Sequence, residues 1–158
     1  MQSLQEKPST NPTAELDRLY DGWKAELDTH MPLEELRRIF EHWGDVTGEP
    51  SDVDYSVTSV PNIKALWVTP AECRQDRVLL YAYGGGYFLG SMYSHRKLFA
   101  HFAKVAGCRA LILDYRRAPE HRYPSQIEDV VSAHQWLLTE QRIAPEHIAF
   151  VGDSAGGH

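Results

Sequence analysis

Cysteine is scarce in this sequence. Cys73 and Cys108 are the only two in 158 residues, too few to staple a chain of this size, and neither belongs to a C-x-x-C pair. A disulfide scaffold is thereby excluded, and a reducing compartment, the cytoplasm, is expected. Positive charge is also short. Sixteen Lys and Arg stand against 22 Asp and Glu, a formal charge of −6. That balance argues against nucleic acid and against a polybasic membrane contact, and the eight histidines would offset it only at acidic pH. No run approaches the roughly 18 apolar residues of a membrane span. The opening MQSLQEKPSTNPTAELD lacks the apolar stretch of a secretory signal. APEH occurs at 118–121 and again at 144–147, but the flanks differ and no repeat is implied. What is present, 42% hydrophobic and 24% charged residues, suits one globular core.

Residues 1–12 read as a loose polar arm. Leu16, Leu19, Tyr20, Trp23 and Leu27 recur at helical spacing over 13–29. Leu33, Leu36, Phe40 and Trp43 do so over 32–43, with Pro32 suited to the first turn and Gly44 to the C-terminal cap. VDYSVTSV (53–60) alternates, Pro61-Asn62 turns, and IKALWVT follows, which predicts an antiparallel pair. RVLLYAY (77–83), RALILDY (109–115) and HIAFVGD (147–153) are near-continuous apolar runs, the mark of strands buried on both faces. Between them lie a helix over 94–106, with Leu98, Phe99, Phe102 and Val105 inward and Gly107 as its stop, and a helix over 124–142. The second carries Ile127, Val130, Val131, His134, Leu137 and Leu138 on one stripe. Strand, helix, strand, helix, strand implies an α/β fold with parallel strands and right-handed crossovers.

Two glycine-bearing turns end buried strands. Gly152-Asp153-Ser154-Ala155-Gly156 fits G-x-S-x-G. There the serine sits on a tight strand-to-helix turn that lifts its hydroxyl above the sheet, and the flanking glycines leave room for the turn. Tyr83-Gly84-Gly85-Gly86-Tyr87 follows another strand. A backbone without side chains can approach a substrate and aim N–H groups at a developing oxyanion. A phosphate cradle is disfavoured, since no Gly-Lys-Ser/Thr follows and Leu89 breaks G-x-G-x-x-G.

YAYGGGYFLGS, DYRRAPEHRYP and VGDSAGGH together resemble the α/β-hydrolases of the hormone-sensitive-lipase type, which carry H-G-G-G, D-Y-R-x-A-P-E-x-x-x-P and G-D-S-A-G-G in this order. The resemblance covers about residues 53–158. It implies an α/β-hydrolase fold with a mostly parallel sheet and flanking helices, ester hydrolysis with neither cofactor nor metal, and residues 1–45 as part of a cap over a catalytic domain that begins near 46. By position it implies Ser154 as nucleophile and Gly85, Gly86 and Ala155 as oxyanion-hole donors. Tyr83, Gly84, Asp114, Tyr115, Arg116, Glu120 and Asp153 would be their support. Tyr83 stands where the family has histidine, which bears on the pose of the loop. Arg117 replaces a usual leucine, read as a surface change.

In this fold the triad runs Ser, then Asp or Glu, then His. His30, His42, His95, His101, His121, His134 and His147 all precede Ser154, and His158 lies in the turn it opens. The acid and the histidine are therefore expected beyond residue 158, from a C-terminal remainder or a second chain. Alone, the chain is expected to be truncated after the nucleophile turn, with an open apolar edge, unstable and nearly inactive. His134 is read as a helix residue and His95 as a structural neighbour of the pocket. From the resemblance, the expected partners are a small apolar ester or lactone and a second copy in a homodimer. The other reading is a small-molecule receptor on the same scaffold, to which Tyr83 gives weight. An oxidoreductase or kinase is disfavoured by the glycine spacing.

Overall fold

The computed structural model describes residues 12–26 and 30–158. The chain divides after Leu36 into two units. The first contains helix α1 (Pro12–Glu26), where Tyr20 and Trp23 meet edge to face at 5.5 Å. Leu16 and Tyr20, expected on an apolar stripe, are more than half exposed. Leu27 and the expected arm over 1–11 lie outside the described residues.

The second unit begins within α2 (Leu33–Glu41). This helix ends at Glu41 rather than at Gly44, because a tighter 3₁₀ turn over Trp43–Val46 takes over the backbone. Five strands follow: β1 (Val53–Val60), β2 (Ile63–Pro70), β3 (Arg74–Ala82), β4 (Cys108–Asp114) and β5 (Ile148–Gly152). β1 and β2 form the expected hairpin, with Val60 opposite Ile63 and Asn62 taking φ 69° at the turn. Asn tolerates that left-handed conformation better than most residues. The sheet order is β1-β2-β4-β3-β5. β2 meets β4 antiparallel, while β4, β3 and β5 run parallel.

Strand alternation sends residues to two cores. Ile63, Ala65, Trp67, Val78, Leu80, Leu111 and Leu113 face helix α4 (Ser125–Thr139) and pack with its Ala133 and Leu137. Leu66, Val68, Tyr81, Ala110 and Ile112 face helix α3 (Arg96–Ala106) and pack with Phe99, Ala100 and Ala103. α3 stops where expected, at Gly107 with φ 62°, the left-handed C-terminal position that glycine occupies without strain.

Both helices are rotated from the apolar stripes read from the sequence. In α3 only Phe99 of the four expected residues is buried, whereas Leu98, Phe102 and Val105 are exposed. Two alanines let that helix sit close to the sheet along a narrow seam. In α4 the inward residues are Gln126, Asp129, Ala133 and Leu137, and Ile127 and Val131 point outward. Two polar residues hold the inner face because each is satisfied there: Asp129 accepts from Arg116, and Gln126 donates to the carbonyls of Arg116 and His121, both at 2.8 Å. β5 is not buried on both faces as its apolar run suggests, but is the open edge expected of the chain alone. Ala149, Phe150 and Gly152 are exposed, since this strand pairs only with β3 and forms the sheet edge among the described residues. The β5 side carries a cavity of about 320 Å³ whose lining includes Ile127, Val130, Phe150, Val151 and Ala155.

Candidate active site

β3 and β5 are in parallel register, with Ala82 beside Gly152. Each strand releases a turn at its C-terminal end, so the two glycine-bearing loops leave from neighbouring positions. Ser154 is exposed and holds φ 49°, a conformation that costs a non-glycine residue about 1–3 kcal/mol and persists only when its surroundings dictate it. Here they do. A Cβ on Gly152 would collide with the Gly156 carbonyl and come within 2.7 Å of the Gly157 nitrogen. One on Gly156 would drive into the Ala82 carbonyl, 2.6 Å from the Ala82 carbonyl carbon and 2.8 Å from the Tyr83 oxygen. The turn is closed by Gly156 N–H donating to the Asp153 carbonyl at 2.8 Å and continues as a 3₁₀ turn over Ser154–Gly157.

The triple-glycine segment is bent by Gly85 at φ 119° and Gly86 at φ 65°. The Gly85 carbonyl accepts from Phe88 and Leu89, which folds the loop over itself. Gly84 N–H donates to Asp153 Oδ1 at 3.0 Å. The amides of Gly85, Gly86 and Ala155 donate to no acceptor among the described residues. The structure thus sets the exposed Ser154 on a turn packed against the glycine segment, with the three expected donor amides unspent. The large cavity is lined by Ala155 but not by Ser154, Gly85 or Gly86; it lies to one side of the serine.

The remaining expected residues make contacts of their own. Tyr83 is fully buried and stacks on Tyr115 with ring centres 4.4 Å apart. Its hydroxyl reaches Asp114 Oδ1 at 3.4 Å, and Tyr115 Oη donates to the Tyr83 carbonyl at 2.6 Å. Burial pushes both phenols well above their ordinary range, so each stays a donor at any working pH. Arg116 pairs with Asp129 at 2.8 Å and Glu128 at 3.2 Å. Glu120 receives two hydrogen bonds from Arg37, at 2.7 and 2.8 Å, and this guanidinium holds its carboxyl down at about 2. Arg117 is not a surface change: it is half-buried and donates to the Gly90 carbonyl, tying the D-Y-R segment to the glycine loop.

Sequence reading missed Tyr81, whose hydroxyl donates to Asp153 Oδ1, and Arg37, which also donates to the Phe88 and Ala118 carbonyls. Arg37 belongs to no motif, and Tyr81 opens YAYGGGYFLGS two residues ahead of the position where the family has its H-G-G-G histidine. His95 was read as a structural neighbour of the pocket. It stacks on Tyr83 at 5.5 Å, and its Nε2 lies 3.7 Å from Asp153 Oδ2. Burial lowers its pKa against the opposing pull of Asp153 and Glu41. Among the described residues, no group of three His, Cys, Asp or Glu could hold a metal ion, and no helix is long and apolar enough to cross a membrane.

Residues 79–158 match the family model of the alpha/beta hydrolase fold. The chain belongs to that family. It is 44% identical over 120 residues to an acetyl-hydrolase of Streptomyces hygroscopicus, covering 75% of this chain and 38% of that protein. It is 40% identical over 82 residues to an ethyl acetate hydrolase of Pseudomonas putida, covering 50% and 26%. Among solved structures, an esterase from the bacterial hormone-sensitive lipase family superposes with a TM-score of 0.84 at 39% identity, over 91% of this chain and 48% of that one. A hormone-sensitive lipase from a metagenome library gives 0.84 at 28% identity, over 94% and 49%. The chain therefore spans less than half the length of these relatives.

Proposed function

We propose that the complete protein is a serine carboxylesterase acting on small apolar esters or lactones without a cofactor. Ser154 attacks the ester carbonyl and the developing oxyanion is taken by the N–H groups of Gly85, Gly86 and Ala155; the bond from the carbonyl carbon to the alkoxy oxygen breaks, the alkoxy oxygen takes the proton from the histidine to give the alcohol, and water then cleaves the acyl-enzyme to the acid and free Ser154. The histidine that accepts the serine proton, and the carboxylate that orients it, come from a C-terminal remainder or a second chain. The observation that carries this reading is the left-handed Ser154 turn seated against a glycine segment whose Gly85 and Gly86 amides are unspent. The acetyl-hydrolase and ethyl acetate hydrolase names of the relatives support short acyl groups. Residues 1–45 contribute to a cap and 46–158 form the first part of the catalytic domain, in a protein of the cytoplasm that pairs as a homodimer. Two free thiols, Cys73 and Cys108, accord with that compartment.

The test is turnover of p-nitrophenyl acetate by the full-length protein, with Ser154→Ala as control and labelling of Ser154 by an organophosphate. A burst of p-nitrophenol that Ser154→Ala abolishes is expected. Ester binding with neither turnover nor labelling would replace the enzyme with a receptor.

A further inference from the structure

Asp153 lies beside the expected nucleophile, yet its carboxylate turns away from a catalytic role and towards the glycine loop. Its Oδ1 accepts from two donors: the Tyr81 hydroxyl, rising from β3, and the Gly84 amide, 3.0 Å away. Oδ2 faces the His95 ring nitrogen at 3.7 Å. Gly84 is buried against the same carboxylate, so that a Cβ there would strike Oδ2 and come within 3.1 Å of Cγ and of the Asp153 carbonyl oxygen. Tyr81 cannot relax its grip easily, because its ring stacks on Phe99 with centres 3.0 Å apart and is fully buried.

From this geometry we infer that Asp153 is a positioning residue, clamping the serine turn to the triple-glycine segment so that the amides of Gly85 and Gly86 stay aimed at the oxyanion. Holding Gly84 N–H fixes the Tyr83–Gly84 peptide plane, the anchor from which the backbone angles of Gly84 and then Gly85 set the directions of the Gly85 and Gly86 amides. The two donors are Tyr81, within β3, and Gly84, two residues past its end. The carboxylate from the β5 turn therefore sets the loop directly against the turn that carries Ser154. Tyr81 and Gly84 share one oxygen, so a neutral amide at position 153 offering its carbonyl oxygen can do the same work. The clamp requires an acceptor rather than a negative charge.

This inference rests on the ester-hydrolase reading for its effect on rate, but the clamp itself can be read without catalysis. In the full-length protein, Asp153→Ala is expected to lower kcat for p-nitrophenyl acetate by about 10- to 100-fold, the scale of misaligned rather than deleted oxyanion donors. KM should stay within about twofold, as for an interaction made mainly in the transition state. Asp153→Asn should restore kcat to within about threefold of the parent protein. Gly84→Ala should be costly in the parent and much less so in the Asp153→Ala background, where the carboxylate is gone and only the Asp153 carbonyl oxygen at 3.1 Å still crowds the methyl. Independently of turnover, hydrogen exchange at the Gly84 amide should quicken at least tenfold in Asp153→Ala and not in Asp153→Asn. Should Asp153→Ala fail to fold, Tyr81→Phe, which removes one donor and keeps the ring, is expected to lower kcat severalfold. Unchanged kcat in the folded alanine variant, or in Tyr81→Phe where alanine does not fold, overturns the clamp. So does an asparagine variant as impaired as alanine, or unaltered Gly84 exchange. A parent protein that turns over no ester, with Gly84 exchange still dependent on Asp153, would instead sink the esterase and leave the clamp standing.

Discussion

Gly156→Ala and Gly157→Ala differ by one position and should differ sharply in effect. At Gly156 the added methyl meets only backbone: it drives into the Ala82 carbonyl and lies 2.6 and 2.8 Å from the Ala82 carbonyl carbon and the Tyr83 oxygen, where ordinary contact begins near 3.4 Å. No side chain can swing aside. The end of β3 and the serine turn must part, and both carry the expected chemistry. Overpacking of this kind costs about 1–3 kcal/mol, which for a protein of this size or larger lowers Tm by about 2–4 °C per kcal/mol. A displacement on the order of 1 Å between reacting groups costs about 10² in rate. At Gly157 the nearest atoms are the Gly152 oxygen at 3.3 Å and its carbonyl carbon at 3.6 Å, so a methyl fits with a shift of a few tenths of an ångström. The assay is kcat/KM for p-nitrophenyl acetate in the full-length protein, with Tm for each variant. Gly156→Ala should lose about two orders of magnitude and Gly157→Ala less than about threefold. Equal losses in the two, or a Gly156→Ala variant with parental activity and Tm, would refute the argument that backbone contact shapes this turn.

Tyr115→Phe removes a buried 2.6 Å hydrogen bond and leaves the Tyr83 carbonyl short of a donor, so it should cost about 1–2 kcal/mol in urea unfolding. Tyr83→Phe breaks only the 3.4 Å contact to Asp114 and should cost under about 1 kcal/mol. Asp129→Ala strands Arg116 without its main partner. About 3 kcal/mol of destabilisation is expected by chemical denaturation, at the low end of such losses because Arg116 remains partly exposed. Burial depresses the pKa of His95 from 6.5, so the fold favours the neutral ring. Stability held above pH 6.5 should then fall as the pH drops below it, a slope that thermal melts should find reduced in His95→Gln. Glu120 is lowered to about 2 by Arg37. Its contribution is present above the ordinary carboxylate range and lost as the pH falls towards 2, so melts of Glu120→Gln and the parent should converge there.

The strands and both glycine turns were legible because their signals are local. Val53–Val60 alternates, Asn62 can turn left-handed, and Gly152 and Gly156 bracket a serine. The helix faces were not, since apolar periodicity assumes that polar residues point outward. In α4 Asp129 and Gln126 occupy the inner face because Arg116 and two carbonyls satisfy them. Those partners lie five to thirteen residues away, across a turn that periodicity does not see. Tyr81 illustrates the same limit: within RVLLYAY it reads as core, and its link to Asp153 spans 72 positions. Arg117, read as a surface change where the family has leucine, reaches back 27 positions to the Gly90 carbonyl. β5 reads as doubly buried from composition alone, whereas burial of a strand depends on which neighbours flank it.

The pairing of β3 with its neighbours also determines where this gene can tolerate insertions and deletions. Between Arg74 and Val78 the alignment with β4 slips, and Gln75, Asp76 and Arg77 are exposed. A codon gained or lost there can be absorbed as a change in slack. From Val78 to Ala82 every residue is matched to β5 one for one. A single codon added in that stretch would move one half of the candidate site past the other by about 3.3 Å, and no side-chain substitution could bring the halves back together.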